Sequence, residues 1–333
     1  MLEKNEKKYY FDAHFHLADC IRDSRVKHGN DTEVHGNDTI DSLSLSGLTR
    51  QSIDIEWYAC TCCHSQEEWE VTGKYLSLRH RERHCEAGQR QSGGLSLVSL
   101  RAAMLRRAQE PQNDCQGLKQ DSSKPQIYLS YGLHPQSAGH IDIKANADFL
   151  QALLQENKLH AIGEAGFDYF NQDFRDQAST QEEMFNIQLS LALQYQLPMV
   201  IHCRKANEKL FEYSKQLKKL PAVLFHSFMG MPKEAQSLLD RGINGYFSFG
   251  KQVLNNNKKV LACISELPAS VLLTETDAPW QFLKGEKFTQ PREIQKVFQA
   301  FCQLRNTTQE DLQAIFYNNF FSLFSPKTVT KNS

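Results

Sequence analysis

Phe11-Asp-Ala-His14-Phe-His16-Leu17 gives the first indication of the fold. It continues a short aromatic and apolar run, Tyr9–Ala13, which is typical of a buried β-strand. Because side chains alternate along a strand, His14 and His16 point to the same side. Two imidazoles at the end of a strand predict half of a divalent metal site, although such a pair alone is a weak indication because it also occurs by chance.

Further apolar runs follow along the chain, with helical patterns between them. This alternation is typical of repeated strand–helix units, and eight strands predict a closed α/β fold, the (β/α)8 TIM barrel. The predicted strands are Tyr9–Ala13, Trp57–Thr61, Ile127–Tyr131, Ala161–Gly163, Met199–Ile201, Ala222–Phe225, Gly245–Phe249 and Val271–Leu273. Capping motifs predict the start of a long helix at Thr180-Gln-Glu-Glu183 and of the last helix at Thr308-Gln-Glu-Asp311.

Two segments between the first and third strands interrupt this pattern, and we expect them to be parts of a single barrel domain over residues 1–333. Residues 28–47 contain His-Gly-Asn-Asp twice among Ser, Thr and Asp, which predicts a flexible loop. Residues 79–123 form an Arg-rich insertion. Most charged insertions only keep a protein soluble, but a basic segment beside an active site could also guide a phosphate backbone.

The composition indicates a soluble globular protein and argues against global disorder, with 40% hydrophobic and 23% charged residues. A formal net charge of -1 supplies no overall attraction to nucleic acid, so such binding would need a local basic patch. The charged N-terminus has no apolar signal core and no run of 18 apolar residues occurs, so we expect a cytoplasmic protein without membrane contact.

The chain has nine cysteines, which we interpret as reduced thiols rather than a disulfide framework. The cluster Cys60-Thr-Cys-Cys63-His64 contains one C-x-x-C spacing. Since no second pair stands at zinc-ribbon distance, thiols packed in a strand are favoured over a structural zinc.

Four more candidate ligands come directly after predicted strands, where barrel active sites draw their residues. They are Glu164, His202, His226 and, within Leu273-Thr-Glu-Thr-Asp-Ala-Pro-Trp280, Asp277. Any one of them could be a hydrogen-bonded core residue or a helix cap. Together with His14 and His16 they predict two divalent metal ions bridged by one carboxylate, with Asp277 as both ligand and general base.

Five ordered motifs resemble those of the TatD family of metal-dependent deoxyribonucleases. They are Asp12-Ala-His-Phe-His16, Gly132-Leu-His-Pro135, Ala161-Ile-Gly-Glu-Ala-Gly-Phe-Asp-Tyr169, Leu197-Pro-Met-Val-Ile-His-Cys-Arg204 and Glu275-Thr-Asp-Ala-Pro-Trp280. The resemblance extends from about Tyr9 to Phe320 apart from the predicted loop and the insertion. It implies an amidohydrolase-like TIM barrel, a centre of one or two metals, and hydrolysis of DNA phosphodiesters, often as a 3′-to-5′ exonuclease.

Position by position, the resemblance makes His14 and His16 ligands of one metal and Glu164 the bridging, catalytic carboxylate. His202 and His226 become ligands of the second metal, and Asp277 a ligand and catalytic base. The metals would be Mg, Mn or Zn, and nitrogen ligands favour Mn or Zn.

The resemblance also implies that His134 and Arg204 contact a substrate phosphate. Arginine suits this task because its planar fork meets two oxygens at once. The alternative for Arg204 is an ion pair with a nearby carboxylate such as Asp168. We expect single-stranded DNA or 3′ ends as the substrate, no organic cofactor, and a monomer.

The chain departs from the family pattern between His16 and His134, a stretch much longer than the family usually needs. The segment Trp57–His64 also differs from the small, turn-rich sequence expected there.

Two other functions stay open at the level of sequence. One is a metal-dependent amidohydrolase or esterase acting on a small carbonyl substrate or an aminoacyl-tRNA ester. The same kind of metal centre can act on carbonyl and on phosphoryl substrates. Against it, no lysine ends a predicted strand to serve as a carbamylated bridge, whereas Glu164 fills that position. The other is a non-catalytic metal-binding scaffold, which the presence of all six ligand positions disfavours.

Overall fold

The computed structural model describes residues 8–17, 19, 55–76 and 126–325. The chain divides into two compact units, Met1–Trp69 with Ser123–Ser333, and Glu70–Ser122. Of the second unit only residues 70–76 are described, and they are helical. The predicted loop 28–47 and the Arg-rich insertion 79–123 lie outside the described residues.

Eight parallel strands form a nearly closed barrel and are hydrogen-bonded to one another in sequence order. They are β1 (Lys8–Phe15), β2 (Ile55–Cys63), β3 (Gln126–Tyr131), β4 (Ala161–Asp168), β5 (Met199–Arg204), β6 (Val223–Phe225), β7 (Gly245–Phe249) and β8 (Leu272–Thr274). The predicted barrel is therefore confirmed, and each predicted run overlaps a strand. Because β4 and β5 are longer than predicted, Glu164 and His202 lie within strands rather than after them.

The described helices surround the strands or connect them. They are α1 over residues 66–76, α2 (Ile143–Gln155), α3 (Gln172–Asp176), α4 (Ala178–Tyr195), α5 (Asn207–Glu212), α6 (Ser214–Leu217), α7 (Pro232–Asp240), α8 (Lys258–Glu266), α9 (Ile294–Arg305) and α10 (Gln309–Phe324). Single 3₁₀ turns occur at Pro135–Ser137, Lys251–Asn255, Ala269–Val271 and Pro291–Glu293. Among the described residues, no helix is both long enough and apolar enough to span a bilayer.

The two predicted helix starts have different outcomes. Thr308 is the N-cap of α10, and its hydroxyl accepts a hydrogen bond from the Asp311 amide, as predicted. The predicted start at Thr180 is wrong, because α4 begins at Ala178. The short helix α3 leads directly into it, with the Gln177 amide donating to the Phe174 carbonyl, so Thr180 already lies in the first turn.

The last helix packs its aromatic face on the outside of the first strands. The Phe320 ring lies 5.8 Å from Phe11 on β1, 6.4 Å from Tyr58 on β2 and 5.2 Å from Tyr128 on β3. Removing a buried ring of this kind typically costs about 3–5 kcal/mol of stability. The packing of α10 therefore holds three neighbouring strands together.

Hydrogen bonds between the first strand and the segment around the last strand bring the two edges of the barrel together. The Thr276 amide and hydroxyl donate to the two carboxylate oxygens of buried Asp12, at 2.9 Å and 2.6 Å. Beyond this pair, the Asp277 amide donates to the His14 carbonyl at 3.0 Å, and the His16 amide donates to the Ala278 carbonyl at 2.8 Å. The closure therefore places Asp277 beside the two histidines at the barrel mouth.

Candidate metal centre

The structure brings all six predicted ligands together at the carboxyl ends of the strands. Glu164 occupies the middle, and its side chain is 2% exposed. Its Oε1 lies 2.9 Å from His14 Nε2 and 3.3 Å from His16 Nε2. Its Oε2 lies 2.8 Å from His226 Nε2 and 3.3 Å from His202 Nδ1. One carboxylate therefore faces one pair of histidines with each of its oxygens.

Two glycines of β4 allow Glu164 to reach this position. Gly163 and Gly166 have φ angles of +144° and +148°, which side chains rarely adopt. A Cβ at Gly166 would lie 1.9 Å from the carbonyl oxygen of His202, and one at Gly163 would lie 2.3 Å from that of Val200. Only glycine permits β4 to approach β5 this closely, and that approach places Glu164 beside His202.

Asp277 completes the side of the centre that holds His14 and His16. Its Oδ1 lies 3.4 Å from His14 Nε2 and 3.3 Å from His16 Nε2. The residue has a φ of 52°, in the left-handed region that aspartate tolerates better than most residues. The chain thus turns sharply just after β8 and presents the carboxylate to the centre.

Two further histidines enter the same cluster. His134 Nε2 lies 3.5 Å from Glu164 Oε2 and 3.4 Å from His202 Nδ1. His64 Nε2 lies 3.3 Å from Glu164 Oε1. From the sequence, His134 was predicted to contact the substrate, and His64 was noted only as part of the cysteine cluster. The signal for His64 was its place directly after the apolar run of β2, where the other candidate ligands also stand.

Three of the histidines have a polar side chain close to their other ring nitrogen. His202 Nε2 lies 3.0 Å from Asp168 Oδ2, and His14 Nδ1 lies 3.1 Å from the Cys62 sulfur. His226 Nδ1 lies 3.5 Å from Glu275 Oε2, which accepts a hydrogen bond from the Ser248 hydroxyl at 2.6 Å. Metal-binding histidines usually have their second ring nitrogen oriented in this way.

The electrostatics of the cluster favour ionised carboxylates next to positive charge. Burial would raise the pKa of Glu164, but the facing His14 and His226 hold it well below its usual range. Burial lowers the pKa of His16, yet its hydrogen bonds with Asp277 and Glu164 outweigh this effect and raise it to about 9. Without another cation, the site would therefore attract protons to its imidazoles.

The donor set fits divalent metal ions. A metal about 2.1 Å from each tetrahedral ligand requires donor atoms roughly 3–3.5 Å apart. The contacts of Glu164 with the four predicted histidine ligands span 2.8–3.3 Å. Three groups have donor atoms within 4.8 Å of one another: His14, His226 and Asp277; His14, His16 and Glu164; and His134, Glu164 and His202. Among the described residues, none of these groups contains a cysteine.

Arg204 is placed at the mouth of the barrel, as expected, but the ion pair considered for it does not form. Its guanidinium carbon lies 3.6 Å from the ring centroid of Phe170. Asp168 is instead bonded to His202 and to the Gln136 amide, which donates at 2.8 Å. Since both carboxylate oxygens of Asp168 point to these groups and to the Phe170 amide, exposed Arg204 keeps its N–H groups available.

Comparison with known proteins supplies independent findings. A family model described as TatD related DNase matches residues 11–325. An uncharacterized metal-dependent hydrolase of Mycoplasma pneumoniae is 36% identical over 155 residues, which cover 45% of this chain and 59% of the relative. The uncharacterized metal-dependent hydrolase YjjV of Escherichia coli is 29% identical over 227 residues, covering 66% of this chain and 84% of the relative.

A relative with a nuclease name is also similar. The 3′-5′ ssDNA/RNA exonuclease TatD of Salmonella typhimurium is 33% identical over 168 residues, covering 50% of this chain and 63% of the relative. The match thus spans less than two thirds of the Mycoplasma and Salmonella proteins.

Two solved structures share the fold. The crystal structure of YjjV, a TatD homolog from Escherichia coli, has a TM-score of 0.62 at 22% identity and covers 95% of this chain and 98% of its own. A hydrolase of the TatD family from Entamoeba histolytica has a TM-score of 0.64 at 18% identity, and the match covers 97% of this chain and 100% of the Entamoeba chain.

A parallel barrel with this donor set at its mouth, together with these relatives, defines a metal-dependent hydrolase acting on ester bonds. The family model matches nearly the whole length, and the chain belongs to the TatD related DNase family.

Proposed function

We propose that this protein is a deoxyribonuclease that removes nucleotides from the 3′ end of single-stranded DNA with the help of two divalent ions. The observation that carries the proposal is the position of Glu164, each of whose carboxylate oxygens faces its own group of imidazoles. Glu164 would bridge two ions, Mg, Mn or Zn. When bound, such ions lower the pKa of water and neutralise charge on a phosphoryl group. The name of the Salmonella relative supports nucleic acid as the substrate.

Asp277 is the proposed general base. Burial would raise its pKa, but hydrogen bonds with His14 and His16 lower it, so the carboxylate is ionised at neutral pH. It takes a proton from the attacking water as the water oxygen bonds to phosphorus, and it passes that proton to the leaving oxygen as the P–O bond breaks. Gln281 holds the carboxylate by donating to Oδ2 at 2.9 Å.

Arg204 and His134 are the proposed phosphate contacts. The Arg204 guanidinium is exposed and stacked on Phe170, which orients its N–H groups without occupying them. Burial lowers the pKa of His134 to about 3, so its imidazole is neutral and can donate one hydrogen bond. His134 also belongs to a candidate ligand group with Glu164 and His202, and it can therefore serve at the border between metal and substrate.

Exposed aromatic rings at the same end of the barrel support a single strand rather than a duplex. Phe170 follows β4, while Trp280 and Phe282 follow β8, and all three side chains are exposed. Lys205 adds a positive charge 4.5 Å from the Phe170 ring centroid. Unpaired bases stack on such rings and contribute about 1–3 kcal/mol each, whereas a duplex keeps its bases stacked inside.

A carbonyl-ester hydrolase, including one acting on aminoacyl-tRNA, is the competing function. The buried lysine nearest to a strand end is Lys251, just after β7, and its ammonium is paired with Glu286 and Glu293. Among the described residues it therefore has carboxylate partners of its own, and Glu164 fills the bridging position. The cytoplasmic location, the monomeric state and the role of residues 79–123 stay predictions.

The test is a time course on denaturing gels with chelator-treated protein and single-stranded DNA carrying a 5′ label, in Mg²⁺, Mn²⁺ or Zn²⁺. We expect a ladder of shortening products that needs metal, and immediate release of mononucleotide from a 3′ label. Glu164→Ala and His202→Ala should lose this activity while keeping their circular dichroism, and Glu183→Ala, on the exposed face of α4, is the control. DNA that stays intact with every metal would contradict the proposal, and carbonyl and aminoacyl esters would be tested next.

A further inference from the structure

We propose that His64 is a ligand of the metal ion on the Oε1 side of Glu164, together with His14 and His16. His64 directly follows β2, a strand for which neither the sequence motifs nor the family resemblance assigned a ligand. The proposal requires only that the centre binds metal, and it is independent of whether the substrate is DNA.

The carboxylate of Glu164 is surrounded symmetrically. Its Oε1 has imidazole nitrogens of His14, His16 and His64 at 2.9, 3.3 and 3.3 Å. Its Oε2 has those of His226, His202 and His134 at 2.8, 3.3 and 3.5 Å. His64 thus lies as close to the shared oxygen as His16, which the motifs identify as a ligand.

The position of His64 is determined by its strand and by the turn that follows. The preceding residue, Cys63, pairs with Tyr131 of β3, and the Gly132 amide donates to the Cys63 carbonyl at 3.1 Å. The His64 amide donates to the Glu68 carboxylate at 2.7 Å. The imidazole is therefore presented to the centre by an anchored backbone.

The ring nitrogen of His64 lacks the hydrogen bond that a buried polar atom normally makes. Its Nε2 is buried and has no hydrogen-bond partner within the described part of the chain, although the side chain as a whole is 18% exposed. The nearby Glu164 Oε1 already faces His14 Nε2 at 2.9 Å, so three imidazoles cannot all donate to it with good geometry. A cation between these nitrogens and the oxygen satisfies all of them, since each neutral imidazole then offers its lone pair.

A contact with substrate explains the same histidine less well. Substrate would approach from the open mouth of the barrel, whereas the Nε2 atom of His64 points inward to the buried carboxylate. The ring stands between those of His16 and His134, with centroid distances of 5.0 and 4.8 Å. His64 is therefore grouped with the other imidazoles around Glu164 rather than with side chains that face the open mouth of the barrel.

Three imidazoles on one side change the expected metal preference. With Glu164 Oε1 and Asp277 Oδ1, the three imidazoles would offer five protein donors to an ion held on this side. Nitrogen-rich sets favour zinc, which also accepts five ligands, whereas magnesium prefers oxygen ligands and keeps several waters. Both oxygens of Glu164 face three imidazoles, but Asp277 Oδ1 adds a further donor on the Oε1 side, at 3.4 Å from His14 Nε2 and 3.3 Å from His16 Nε2. We therefore expect the tighter zinc site on the Oε1 side and a more exchangeable ion on the Oε2 side.

The test measures zinc binding to the full chain by competition with a chromophoric chelator after metal removal. We compare the wild type with His64→Ala and His64→Asn, and with His140→Ala as the control, since His140 is an exposed histidine outside the cluster. Loss of a ligand should weaken the tighter zinc site by at least about 10-fold, the lower limit for loss of even an outer-layer partner. His140→Ala should leave both affinities unchanged.

X-ray absorption on protein with one equivalent of zinc gives a second readout, in which His64→Ala should lower the number of imidazoles around the metal. Circular dichroism and melting curves establish that each variant is folded, and His64→Asn keeps a polar side chain if the alanine variant does not fold. Zinc affinity and imidazole number equal to the wild type in a folded variant would overturn the proposal. Neither readout uses DNA cleavage, so failure of the nuclease proposal would not affect the result.

Discussion

At the scale of single residues, Gln281 connects the proposed base to its surroundings. Its side-chain nitrogen, which carries two N–H groups, lies 2.8 Å from Ser227 Oγ, 2.9 Å from Asp277 Oδ2 and 3.2 Å from Glu275 Oε1. A neutral amide can approach two carboxylates that would otherwise repel each other. Gln281 thus acts as a positioning residue for Asp277.

Gln281→Leu should lower kcat by about 10-fold or more, with little change in KM, because loss of a group that orients a metal ligand typically costs 10–100-fold. Steady-state kinetics on labelled DNA measures both constants. Gln252→Leu is the matched control, since Gln252 donates to the same Ser227 at 3.1 Å and has no hydrogen bond with Asp277. Equal losses in the two variants would mean that Ser227, rather than Asp277, is the group that matters.

Arg204→Ala should raise KM for DNA by about 10-fold while metal content stays unchanged, because a hydrogen bond to a charged group contributes about 1.5–3 kcal/mol and exposure reduces it. Arg241 offers a close control. It is also exposed and stacked on a phenylalanine, Phe211, at 5.3 Å, but it follows α7 and precedes β7, at the opposite end of the barrel. A similar rise in KM for Arg241→Ala would show that the effect is non-specific charge attraction.

At the scale of elements, β4 determines the geometry of the centre. Glu164 lies between two glycines of this strand, and the β4 backbone pairs with the β5 backbone at His202. The pairing of β4 with β5 therefore positions two candidate ligands, Glu164 and His202, through backbone contacts alone. Local patterns predicted both strands, but their length and this close approach depend on the neighbouring strand.

Gly166→Ala should lower the free energy of unfolding by at least about 2 kcal/mol, since it combines an unfavourable φ with a backbone clash. Urea denaturation followed by circular dichroism gives the value. In Gly139→Ala the new Cβ would have its nearest neighbour at 3.8 Å, a flexible side chain, so we expect a change within about 0.5 kcal/mol. Equal stability of the two variants would show that β4 can move away from β5.

For the whole molecule, the candidate metal centre joins strands from both edges of the barrel. Its candidate ligands come from β1 and the residue after it, β4, β5, the residue after β6 and the turn after β8. A metal that binds all of them stabilises only the folded state, because the unfolded chain separates the ligands. Metal binding and global stability should therefore be coupled.

Zinc at about 100 times its dissociation constant should stabilise the protein by about 2.7 kcal/mol. For a domain of this size, that corresponds to a rise in Tm of roughly 5–10 °C over the chelator-treated protein. Differential scanning calorimetry with and without zinc measures the shift. Glu164→Ala should show a much smaller shift, and an equal one would place the stabilising zinc outside the centre.

Local patterns in the sequence were enough to predict the barrel and six candidate ligands at its mouth. Strand patterns are local, and in a parallel barrel every strand ends at the same face, so His14, His16, Glu164, His202, His226 and Asp277 could be assigned to one site without knowledge of any contact. The start of α10 at Thr308 was equally local, since a cap bonds within its own first turn.

Which other side chains join that site depends on tertiary contacts that the sequence patterns do not contain. Arg204 stacks on Phe170 instead of pairing with Asp168, and His64 faces Glu164 although its sequence neighbours are cysteines. Gln281 bonds with Ser227, far away in the chain. These contacts depend on which strands are neighbours, on the turns after them and on the direction of each side chain. Such non-local geometry follows from packing of the whole barrel and has no periodic pattern in the sequence.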